Sequence, residues 1–208
     1  MLDQFLLDAV ALFVIVDPIG TATIFAGLTQ NEAPERRRLL ALRGTALASM
    51  MIAFFAFAGE FLLTALGVSL SAFQFAGGVL LFLLAIDMVF ARNSGFRSTT
   101  TDEAEEAKAS QDISVFPLAI PLIAGPGALT SIVLLMQQAG QDFARSMLVL
   151  LALALVMLAT LLALLGGAVL IRILGVTGTN VISRVLGVIL AAFVAELLLM
   201  GMRYSLSR

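Results

Sequence analysis

The chain has 208 residues, 61% of them hydrophobic and only 12% charged, with a net charge of −2 and a mean hydropathy of +1.07. A soluble domain needs more polar surface than this composition supplies, so apolar runs of about 20 residues each indicate a polytopic helical membrane protein. With no Cys and no His, disulfide frameworks, Cys/His metal sites and histidine catalysis are excluded, and no basic patch with interleaved aromatics invites nucleic acid.

Six spans are expected, over about residues 4–27, 40–66, 71–91, 114–137, 145–171 and 179–202. The N-terminus carries Asp3 and Asp8 where a signal peptide would be basic, and reads as a retained span. That first span is interrupted by "VIVDPIGTAT" (Val14–Thr23), an acid followed at once by a helix breaker. Short polar connections, "TQNEAPERRR" and "GVSLS", flank the second span. Residues 92–113 form the single long polar stretch and read as a flexible linker, not a domain. The fourth span opens on the proline-rich "FPLAIPLIAGPGALT", in which Pro117 and Pro121 are expected to bend its start.

Arg and Lys fall unequally on alternate sides. Loops one, three and five hold nine of them, against three in the N-terminus, loops two and four and the C-terminus. Cytoplasmic loops carry the excess, so both termini are expected on the outer side and the linker in the cytoplasm.

The halves resemble each other at a nearly constant offset. "LGVS" at Leu66 recurs as "LGVT" at Leu174, Pro18 matches Pro126, and "GVLLFLLAIDM" from Gly78 lies opposite "GVILAAFVAEL" from Gly187. The last match sets Asp87 against Glu196. Three spans per half is an odd number, so the second half must lie inverted relative to the first. The expected architecture is an all-α membrane protein of two three-helix repeats, residues 1–91 and 114–208, joined by the linker. The first helix of each repeat breaks at Asp17-Pro18 or Gly125-Pro126.

Proline lacks an amide hydrogen, and Asp before Pro is a good helix start. Broken backbone at membrane depth is tolerated only against protein or a water-filled cavity, and an acid there costs about 2.5–3.5 kcal/mol on insertion scales. These arguments make Asp17, Pro18, Gly20 and Thr21, with Gly125, Pro126, Gly127, Thr130 and Ser131, the candidate substrate-binding residues. An amino-acid zwitterion fits them, its ammonium at Asp17 and its carboxylate at the Gly127–Ala128 amides. The hydroxyls of Thr21, Thr23, Thr130 and Ser131 either line the cavity or bond back to the helix carbonyl four residues earlier. Asp87, Glu196, Gln74 and Arg184 are candidates for coupling or for lining the path. Gly77, Gly78, Gly166 and Gly167 are read as seats for close helix contact.

"DPIG" in span one, "FPLAIPLIAGPGALTSIVLLM" (Phe116–Met136), "AFQFAGGVLLFLLAIDM" (Ala72–Met88) and "RVLGVILAA" (Arg184–Ala192) together resemble the MarC family of bacterial and archaeal inner-membrane proteins. The resemblance covers nearly the whole chain. It implies six spans in the inner membrane, a place near the LysE-type exporters, and transport of small neutral amino acids such as glycine and alanine. Two departures touch the expected cavity. Thr21 and Thr23 stand where the family commonly has Asn and Pro, and Gln74 where it often has a basic residue. The expected function is a secondary transporter working by alternating access, with no cofactor beyond a coupling proton or Na+. Its partners are the lipid bilayer and a small solute. An exporter or channel for another small solute or ion, and a non-transporting scaffold, stay open as alternatives. An enzyme is not expected.

Overall fold

The computed structural model describes residues 1–90 and 113–206, so the expected linker lies outside the described residues except for Ile113. The described chain is helical, with no strand among its residues. Its elements are α1 (Leu2–Val16), α2 (Pro18–Leu28), α3 (Pro34–Ala65), α4 (Leu70–Phe90), a proline segment (Ser114–Ile123), α5 (Pro126–Ala139) and α6 (Phe143–Leu206). Five helical stretches are long and apolar enough to cross a membrane, and the bent pair of the proline segment and α5 brings the total to six.

The boundaries follow from local chemistry. Pro34 takes the first helical position of α3 behind an extended Ala33, six residues before the expected span. The early turns are rich in Arg, which hydropathy does not count as membrane although the helix runs through them. α3 ends where Gly67 turns left-handed at φ 66°, and the amide of Val68 returns to the Leu63 carbonyl at 2.9 Å. Gly175 has the same φ of 66° and divides α6 into two limbs, so spans five and six are joined by a single left-handed residue.

The broken spans occupy the middle of the bundle. In Leu2–Leu28, 56% of the most apolar window is buried, against 22–39% in the other unbroken candidates. α5 is buried along nearly its whole length. Around this pair stand α3, α4 and the limbs of α6, which turn Phe54, Phe57, Phe61, Leu162 and Ile173 outward as a lipid-facing surface should. Every helix adds to one core, with Leu12, Phe25, Ile52, Leu81, Ile132, Val149 and Leu190 fully enclosed.

Small residues set the approach of the helices. A Cβ on Gly187 would lie 3.0–3.1 Å from backbone atoms of α4, Val89 N and the Ala85 carbonyl, so α4 and the second limb of α6 meet backbone to backbone. Gly77 lies against the Thr130 side chain, and Gly167 against the Ala22 carbonyl. Gly166 faces open space instead.

The two breaks fall at the expected residues but differ in shape. α1 and α2 continue as one 27-residue span, whereas the proline segment and α5 are bent by 56°. A single Pro at a helix start adds only a local turn at Asp17. Pro117 and Pro121 follow extended residues, Phe116 and Ile120, and the segment closes wide turns with bonds such as Ala124 N to the Ala119 carbonyl at 2.8 Å.

Candidate functional site

At the first break, Asp17 is fully buried in the left-handed region, at φ 47° and ψ 69°. Its Oδ1 accepts a hydrogen bond from the Gly20 amide at 3.0 Å, as the N-cap of α2. The Val16 carbonyl, losing that amide, accepts from the Thr21 hydroxyl at 3.1 Å. Ser183, on the second limb of α6, donates to Asp17 Oδ2 at 3.5 Å. Glycine at position 20 leaves room for the cap, because a Cβ there would fall on the Asp17 carboxylate.

The second break has no such cap. Gly125 carries no side chain, and a Cβ on it would lie 2.6 Å from the Pro121 carbonyl oxygen. Gly125, Pro126, Gly127 and Ala128 border a void of about 20 Å³, shared with Ile15, Leu80, Leu84 and the end of the proline segment. That is room for about one water.

A larger cavity, about 310 Å³, lies on the side of the chain's N-terminus. Ala11, Ile15, Leu134 and Leu135 give it an apolar floor, and Gln4, Gln138 and Glu196 are exposed at its rim. Asp8 and Arg145 cross its wall as a two-pronged ion pair, Arg145 Nη2 to Asp8 Oδ1 at 3.0 Å and Nη1 to Oδ2. The pair joins α1 to the start of α6. Gln74 reaches the cavity from α4, and Ser131 from α5. An apolar hollow with a few convergent polar groups is the usual form of a small-molecule site, and ~300 Å³ is the small end of that range.

The sequence-derived candidates therefore separate. Asp17 lines neither space, while Gly127 and Ala128 line the small void. Thr21, Thr23 and Thr130 bond back to carbonyls of their own span, to Val16, Ile19 and Pro126. Ser131 differs, being buried in the cavity wall with a hydroxyl that has no hydrogen-bond partner among the described residues. Glu196 and Gln74 both line the cavity, Asp87 is buried at the far end of α4, and Arg184 is exposed on α6. Sequence reasoning missed Asp8, Arg145, Gln4 and Gln138. A pairing across 137 residues leaves no local signal, although an acid inside a first span and a cation at the start of another are each unusual.

The family model for MarC family integral membrane proteins matches residues 2–206. A UPF0056 membrane protein of Archaeoglobus fulgidus is 36% identical over 97% of this chain and 93% of its own length. One from Methanocaldococcus jannaschii is 34% identical over 99% of this chain and 98% of its own. The UPF0056 inner membrane protein YhgN of Escherichia coli K12 is 34% identical over 66% of each chain. No solved structure matches the chain. The helical bundle, the broken spans and the sequence match along nearly the full length agree: the chain belongs to the MarC family of integral membrane proteins.

Proposed function

We propose that the protein is an inner-membrane secondary transporter of small neutral amino acids, and that its solute binds in the 310 Å³ cavity. The observation that carries this reading is the composition of that cavity. Glu196 suits an ammonium group. Arg145, held in place by Asp8, suits a carboxylate with its remaining donors. Ser131 in the cavity wall carries a buried hydroxyl without a partner among the described residues, and the apolar floor of Ala11 and Ile15 suits a small apolar side chain. Asp8, Arg145 and Glu196 leave the lining with one formal negative charge, which a zwitterion does not cancel. A coupling proton or Na+ bound with the solute would cancel it, and this favours coupled transport.

The test is uptake of labelled glycine and alanine by proteoliposomes, with and without a proton or sodium gradient. Uptake is expected to be saturable and raised by one gradient. Glu196→Gln should raise KM by on the order of tenfold or more, since a charged hydrogen bond contributes about 1.5–3 kcal/mol. Failure to take up any neutral amino acid under either gradient sinks the proposal.

A further inference from the structure

The cavity and the small void share one side chain. Ile15, two residues before the first break, lines the 310 Å³ cavity on one side and the 20 Å³ void on the other. Leu84 of α4 also borders the void. One turn further along α4 is Asp87, on the neighbouring face of the helix.

Asp87 needs an explanation of its own. It is 9% exposed, and its Oδ2 has no hydrogen-bond partner among the described residues. It lies in the last turn of α4, where the helix dipole opposes a negative charge. A buried carboxyl oxygen without a partner is costly, and a core leucine would be cheaper. Along the same helix, Gln74 lies in the open cavity with Glu196, and the run from Gln74 to Asp87 spans about 20 Å. One acid, Glu196, therefore lines the cavity, and a second, Asp87, lies one turn beyond the void on α4, with Ile15 bordering both spaces.

We propose that the solute path runs from the cavity past Ile15 to Asp87. Ile15 is the septum between the open vestibule and a collapsed one, and Asp87 is the acidic group of the collapsed side. The void at the Gly125–Pro126 break is what remains of that second vestibule while it is shut. The proposal rests on the transport reading above and extends it from a binding cavity to a route.

The chain has no cysteine, so single cysteines report accessibility without background. In vesicles holding the full chain, Asp87→Cys and Leu84→Cys are treated with a membrane-impermeant thiosulfonate from the face that carries the C-terminus, with Glu196→Cys as reference. Glu196→Cys is expected to react, and the other two to stay protected. Adding Ile15→Ala should raise the reaction at both protected positions by on the order of tenfold, equivalent to ~1.4 kcal/mol of opening. No gain at either position overturns the proposal, as does reaction at both without Ile15→Ala at the rate of Glu196→Cys. A gain at Leu84→Cys alone removes Asp87 from the path. Labelling requires no transported solute. Uptake with a flat labelling pattern therefore rejects the route alone, and the expected labelling without uptake rejects the substrate.

Discussion

Asp17 illustrates how a membrane-depth acid is accommodated by its own backbone. A left-handed φ is tolerated by Asp better than by most residues, and the same turn presents the carboxylate to the Gly20 amide. Asn has the same tolerance and keeps the acceptor. Asp17→Asn is therefore expected to fold normally and retain uptake, whereas Asp17→Ala should lose about 1–2 kcal/mol of stability with the cap. A folded Asp17→Asn protein that fails to transport would place the charge itself in the mechanism. Gly20→Ala should cost about 2 kcal/mol, because the methyl group displaces the capping carboxylate. Gly27 faces open space in the same helix, so Gly27→Ala should be neutral or stabilising by up to about 1 kcal/mol. Unfolding in detergent micelles compares the two directly.

Between elements, the Asp8–Arg145 pair is the most exacting contact. Both side chains are largely enclosed, so removing one partner strands the other in a cavity wall. Asp8→Asn and Arg145→Gln should each lose about 3 kcal/mol. The double variant should lose less than the sum of the two, by more than about 1 kcal/mol. Thermal melts of the four proteins complete the cycle, and strictly additive losses would show that the pair does not couple α1 to α6. The breaks at Asp17-Pro18 and Gly125-Pro126 were legible in the sequence because proline and glycine act on their own backbone. The ion pair was not, since its partners meet only after the bundle assembles. The difference between a first span that runs on across its break and a span bent by 56° was hidden for a similar reason. Pro117 and Pro121 announce a bend, but its angle depends on packing against α3, where Leu118 lies against Gly44. The threonines read as candidate ligands were decided by local bonding, and Ser131 by its place on the inward face of α5.

For the whole molecule, composition alone dictated a helical membrane bundle, and the bundle follows. Sidedness is a further expectation of the charge pattern. With nine Lys and Arg in the odd loops against three elsewhere, an alkaline phosphatase fused at the C-terminus should be active outside the cytoplasmic membrane. The same reporter inserted within residues 92–113 should be inactive. The opposite pattern would turn the 310 Å³ cavity to face the cytoplasm and reverse the order of the proposed path.

The unequal breaks have an energetic consequence for a chain read as two inverted halves. Leu2–Leu28 runs on as one span across its break, while Ser114–Ile123 and Pro126–Ala139 are bent by 56°. Exchanging those shapes would yield a second conformer built from similar contacts, with the opposite end open. If the two halves are inverted copies and the conformers lie within a few kcal/mol of each other, a solute or ion that prefers one redistributes the population. In such a device the asymmetry of the moment is the state, and the net direction of movement belongs to the gradients on either side of the membrane.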